Sequence, residues 1–161
     1  MMNMKIVGAM TGLALLAACS SHNSDTGAAT GSGAGAFGSR GPLPGSQEDL
    51  VANVGDRVFF AFDSSQISSD ARSTLDRQAG WLGRYPQVRV QVAGNTDDRG
   101  TEEYNLALGQ RRANAARDYL VAQGVNSSRL STISYGKDRP TALGDNEEAW
   151  AQNRNAITSV R

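Results

Sequence analysis

The chain has 161 residues, 39% of them hydrophobic and 20% charged, enough for one globular domain with an ordinary core but not for two. Its 16 basic residues balance 16 acidic ones, so it carries no basic footprint of the kind that binds nucleic acid. The single cysteine, Cys19, and the single histidine, His22, both lie near the N-terminus. The rest of the chain therefore has no disulfide, Cys–His pair, Ser–His–Asp relay or histidine-ligated zinc site.

Met1 to Lys5 carries one positive charge and is followed by an apolar stretch from Ile6 to Ala18. That stretch is shorter than the ~20 apolar residues needed to span a bilayer. A charged start, an apolar middle and small residues at the end make residues 1–18 a signal peptide. Its end, Leu16-Ala17-Ala18-Cys19, resembles a bacterial lipobox. The resemblance implies cleavage before Cys19, lipid on its sulfur and new amino group, and, because Ser20 follows rather than Asp, export to the periplasmic face of the outer membrane. Several acyl chains make such an anchor stable, since each buried methylene contributes ~0.8 kcal/mol. Residues 19–46, after the lipidated cysteine, are rich in Gly, Ala, Ser and Thr. They read as a flexible tether with a typical span of roughly 30 Å.

The folded domain is expected over residues 47–161. Gln47 to Val54 suits a short leading helix, and Arg57 to Phe62 is a β-prone run expected as a strand near the sheet centre. Ser68 or Ser69 can cap a helix whose Ala71, Leu75, Ala79 and Leu82 form one apolar stripe and which Pro86 closes. Val88, Val90 and Val92 alternate with Arg89 and Gln91, predicting a strand with one buried and one wet face. A polar turn from Gly94 to Gly100 follows, then a helix capped by Thr101, running to about Gln123 and stopped by Gly124. Leu130 to Tyr135 reads as a third strand, Glu147 to Gln152 as a short helix, and Ala156 to Val160 as the last strand. The expected fold class is α+β: a two-layer sandwich of a mixed β-sheet with helices on one face.

The most informative stretch runs from Asn95 to Asn105 and on through Leu108-Gly109-Gln110-Arg111-Arg112-Ala113. It resembles the OmpA-like peptidoglycan-binding family, whose pattern is matched by Asp97, Asn105, Leu108, Arg112 and Ala113. Asp98-Arg99-Gly100-Thr101, Glu103-Tyr104-Asn105, Ser134-Tyr135-Gly136-Lys137, Arg139-Pro140 and Phe59 to Asp63 are similar to the lipoprotein branch of that family, which belongs to the Tol–Pal system. The resemblance spans roughly Val58 to Val160. It departs at Asn95, where many members carry His, and at Asn155, where Asn153-Arg154-Asn155 replaces the usual Asn-Arg-Arg.

This resemblance implies non-covalent binding of peptidoglycan through the diaminopimelate of its stem peptide. It also implies a link between outer membrane and wall that serves envelope integrity and cell division, with TolB and TolA as partners. Asp97 and Arg112 carry over as principal ligands, and Phe62, Asp63, Arg99 and Leu108 as wall or secondary contacts. The chemistry agrees, because the free end of diaminopimelate has an ammonium and a carboxylate on one carbon. Arg112 offers a planar fork for the carboxylate, Asp97 an acceptor for the ammonium, and Leu108 lies one helical turn before Arg112. A structural alternative is an ion pair of Asp97 with Arg112 that fixes loop to helix. Trp81, Trp150 and Tyr135 read as packing residues and Glu147-Glu148 as a solvated helix start. No cofactor or metal is expected. A glycan hydrolase using Asp97 and Glu102 is disfavoured, since Arg99 and Arg112 favour ionised carboxylates over a general acid.

Overall fold

The computed structural model describes residues 41–161; the expected signal peptide, Cys19 and most of the expected tether lie outside them. Among the described residues, four α-helices begin at side-chain caps. Ser46 accepts from the Asp49 N–H to open α1 (Gln47–Asn53), Ser68 from Ala71 to open α2 (Ser69–Arg84), Thr101 from Tyr104 to open α3 (Glu102–Ala122), and Asn146 from Ala149 to open α4 (Glu147–Asn153). Each first turn also carries at least one acid, which complements the helix dipole.

Four strands, β1 (Arg57–Phe59), β2 (Val90–Asn95), β3 (Leu130–Gly136) and β4 (Asn155–Val160), form one mixed sheet in the order β1-β4-β2-β3. β2 and β3 are parallel, and β4 is antiparallel to both β1 and β2. Val58, Val90, Val92, Leu130 and Ala156 of the sheet share one core with Leu75 and Leu82 of α2 and Ala113, Ala116 and Leu120 of α3. The class is α+β, as expected, with the antiparallel β4 set between β1 and β2. Each fully buried aliphatic side chain contributes about 1.5–3 kcal/mol, so this single layer contact is the main source of stability. Trp81, 1% exposed, adds a polar tie by donating its indole N–H to Asp49 at 2.9 Å.

Two strands differ from expectation. The run from Arg57 to Phe62 is not a central strand: β1 has three residues and lies at the sheet edge. Phe60 N–H still reaches the Arg154 carbonyl at 2.8 Å. The chain then leaves the sheet, with Asp63 in the left-handed region at φ 50°, and turns the carbonyls of Ala61 and Ser64 towards α3. β2 starts at Val90 rather than Val88 and extends through Gly94 and Asn95, residues that composition alone marks as a turn. Both are buried, because α3 crosses β2 backbone against backbone at this point. A Cβ on Gly94 would lie 1.8 Å from the Gly109 carbonyl oxygen, and one on Gly109 2.3 Å from Ser134 Oγ. That close crossing sets the height of α3 over the end of β2, and so the position of Arg112 one turn further on.

Candidate functional site

Three segments meet beyond the end of β2: residues 60–64 leaving β1, the loop of residues 96–100, and the first turns of α3. Between them lies a cavity of about 200 Å³. All six residues nominated from the sequence line it, namely Phe62, Asp63, Asp97, Arg99, Leu108 and Arg112. Gly100, Tyr104 and Asn105 complete its wall. Asn105, 1% exposed, holds the loop in place by donating to the carbonyls of Arg99 at 2.8 Å and Thr101 at 3.0 Å.

Arg112 forms the floor and is fully buried. Its Nε donates to the Ser64 carbonyl at 2.8 Å, Nη1 to Asn95 at 2.8 Å and Nη2 to Ala61 at 3.1 Å. Three of its five N–H groups thus clamp the segments that build the cavity. Burial pushes the guanidinium down to about 10, while the Asp97 charge works in the other direction. It remains a cation at neutral pH. The Asp97–Arg112 ion pair weighed as a structural alternative does not form; Asp97 pairs with Arg99 and Arg154 instead.

Asp97, 5% exposed, accepts on Oδ2 from Arg99 Nη2 at 2.6 Å and from Arg154 Nη1 at 3.4 Å. Burial is the largest single influence on its carboxyl and raises it. The hydrogen bond and charge of Arg99, with Arg154 behind, together outweigh burial and hold it below the usual carboxylate range. Asp97 is therefore an anion at physiological pH. Arg99 lies between two aromatic faces, its Cζ 4.2 Å from the Phe62 ring centroid and 4.1 Å from that of Trp150. Stacking on both sides fixes the plane of the guanidinium, whose Nη2 donates to Asp97. Asp63 accepts from the Tyr104 hydroxyl and Phe62 is 60% exposed, so an acid, a phenol and an apolar ring rim the opening.

The two departures from the family pattern touch each other. Asn95, 3% exposed, donates from Nδ2 to Asn155 Oδ1 at 2.8 Å, and Asn155, fully buried, donates onward to Thr141 Oγ1 and to the Gln152 carbonyl. A neutral amide pair occupies the space under the loop, so the missing second arginine leaves no unpaired charge behind.

Sequence reasoning gives Arg154 no role in the site, reads Glu147 as a solvated helix start and takes Trp150 as packing. Arg154, 7% exposed, joins Asp97 to Glu147, the latter at 2.7 Å, and donates from Nε to the Phe60 carbonyl at 3.2 Å. Trp150 packs as expected, but against Arg99 of the site. A basic residue between a helix end and a strand, seven places after the first acid of that helix, was the available signal. Among the described residues no group of three acids, cysteines or histidines is placed to hold a metal ion. The cavity thus pairs one buried anion with guanidiniums on two sides, an arrangement suited to a ligand that carries both charges on neighbouring atoms.

The OmpA family pattern matches residues 59–154. The peptidoglycan-associated lipoprotein of Mesorhizobium japonicum is 51% identical over 152 residues, which cover 94% of this chain and 89% of that one. That of Brucella melitensis is 54% identical over 122 residues, 76% and 73% of the two chains. Among solved structures, the peptidoglycan-associated lipoprotein from Burkholderia pseudomallei superposes with a TM-score of 0.64 at 43% identity, covering 66% of this chain and 90% of that one. The C-terminal domain of Helicobacter pylori MotB gives 0.62 at 29% identity over 66% of this chain and 84% of its own length. With its fold, its motif residues and its nearly full-length relatives in agreement, the chain belongs to the OmpA family and, within it, to the peptidoglycan-associated lipoproteins.

Proposed function

We propose that this protein is a lipid-anchored clamp that holds peptidoglycan without cleaving it, gripping the free end of diaminopimelate in the cavity under the loop of residues 96–100. The observation that carries the reading is the convergence of the Asp97 carboxylate with Arg99 and Arg112 in one cavity of about 200 Å³. The ligand's ammonium goes to Asp97 and its carboxylate to the guanidiniums, with Leu108 and Phe62 against the methylene chain. Hydrolysis is not part of the reading, because an Asp97 held ionised by two arginines cannot deliver a proton as a general acid.

The first test is capture on purified sacculi, with and without competing diaminopimelate. Asp97→Asn keeps the shape of the side chain and removes the charge. A charge-assisted hydrogen bond contributes about 1.5–3 kcal/mol, so binding should fall roughly tenfold or more. Capture equal to wild type, with the variant folded, would sink the assignment.

The anchor belongs to the same proposal: cleavage before Cys19, lipid on that residue, residues 19–46 as tether and 47–161 as the wall-binding domain. Ser20 directs the protein to the periplasmic face of the outer membrane, and the family resemblance makes TolB and TolA the partners to test. Mass spectrometry of the native N-terminal peptide should show acyl mass on Cys19, and Cys19→Ser should remove it while the domain still folds. An intact Met1 chain with a free thiol would contradict the anchor.

A further inference from the structure

Glu147 stands on the outer face of α4 with its side chain 66% exposed, yet it pairs at 2.7 Å with Arg154, whose side chain is only 8% exposed. Arg154 reaches in the other direction to Asp97 Oδ2 at 3.4 Å. One buried guanidinium is therefore shared between an acid at the surface and the acid of the cavity, and it lies closer to the surface one. Its Nε is fixed on the Phe60 carbonyl at 3.2 Å, so the group can favour one carboxylate over the other by small adjustments without leaving its place. On the far side of Asp97, Arg99 is held by Phe62 and by Trp150 of the same helix, α4. Neither Glu147, Trp150 nor Arg154 lines the cavity, but together they set both cations that contact its anion.

We propose that Glu147 and Arg154 are positioning residues for ligand binding: Glu147 draws Arg154 outward and so leaves Asp97 free enough to hold the ligand's ammonium. Neutralising Glu147 gives Arg154 to Asp97 undivided. The cavity then loses net negative charge, and an incoming ammonium competes with a better-seated guanidinium. Contact at the outer face of α4 that engages Glu147 would weaken the hold on the wall by the same route. The inference rests on diaminopimelate being the ligand of this cavity for its binding arm, and on the charge chain alone for its other arm.

The test uses the full-length lipoprotein in detergent. Glu147→Gln should weaken diaminopimelate binding by roughly three- to tenfold and Glu147→Lys by more, while Glu147→Asp restores most of the affinity. The thermal midpoint should barely move, since exposed pairs contribute little to stability. In an Arg154→Gln background most of the Glu147→Gln effect should disappear, because the shared cation is gone and only the weaker pull of Glu147 on Arg99 is left. A second reading needs no ligand: the Asp97 carboxyl resonance should titrate at lower pH in Glu147→Gln than in wild type. Asp97 is faced by Arg99 from its own loop, Arg154 from the α4–β4 junction and Arg112 from α3, with Asp63 and Asp98 nearby; of these cations Glu147 pairs directly with Arg154 alone, while its charge also reaches Arg99. Unchanged titration in Glu147→Gln overturns the inference, as does a binding loss that persists undiminished in the Arg154→Gln background. A shifted titration in Glu147→Gln, together with a wild-type protein that fails to bind diaminopimelate, would leave the charge chain standing and remove the proposed ligand.

Discussion

Gly94→Ala is expected to unfold the domain at ordinary temperature. The added methyl would sit 1.8 Å from the Gly109 carbonyl oxygen and 2.6 Å from its carbon, both backbone atoms of α3. No rotamer relieves that overlap, so helix and sheet must separate along the contact that builds the core. Losses above about 4 kcal/mol are exceptional for a single substitution and arise from such overpacking, and domains of this size have only about 5–15 kcal/mol of stability in total. Gly80→Ala is the control: Gly80 is in the exposed middle of α2, and a Cβ there meets nothing within 4 Å. It should be neutral or gain up to about 1 kcal/mol from helix propensity. Urea denaturation of the two variants measures the contrast. A Gly94→Ala protein with wild-type stability would mean that α3 does not cross β2 as described.

Arg112→Leu should cost nearly as much, for a different reason. The side chain fills the same floor with an apolar group, but the carbonyls of Ala61, Ser64 and Asn95 lose their donors together. Each buried acceptor left unsatisfied costs about 1–3 kcal/mol, and the Asp97 anion loses a nearby cation. A loss of several kcal/mol is expected, read as a large drop in the urea midpoint with an unchanged slope. Arg112→Lys retains charge but not the fork, and a single ammonium cannot reach carbonyls on three segments. It should fall between leucine and wild type in stability. Binding by Arg112 variants therefore has to be measured well below their unfolding transitions, whereas Asp97→Asn tests the ligand contact with less disturbance of the scaffold.

These two residues mark where the sequence was readable and where it was not. Arg112 stood out because it follows Leu108 by one turn inside a recognisable motif, and motif, helix and cavity agree on it. Its attachment to three carbonyls was hidden, since backbone acceptors leave no trace in residue identity. Two long helices were legible from their caps, since Ser68 and Thr101 each precede an acid; Ser46, which caps α1, reads in the sequence as the end of the tether. β1 was misplaced because Val58, Phe59, Phe60 and Phe62 look like a buried strand, whereas the chain leaves the sheet after Phe60 and its Ala61 and Ser64 carbonyls accept from Arg112 instead. Gly94 looked like turn punctuation until its partner Gly109, on another element, gave it a packing role. Arg154 lies 57 residues from Asp97 along the chain, and no local periodicity relates the two.

The hydrogen-bonded amides of Asn95 and Asn155 have a historical consequence. A lineage exchanging these asparagines for the His and Arg of the family pattern is expected to change both together. Either single step would strand a buried polar or charged group against the wrong neighbour, at a cost of about 1–3 kcal/mol or more. Such an intermediate sits close to the margin at which a domain of this size stays folded, so the two substitutions should be inherited as a unit. Chimeras that exchange the segment ending in β2 with a relative of the His/Arg type, but keep this chain's β4, should recover poorly, and exchanging β4 as well should rescue them.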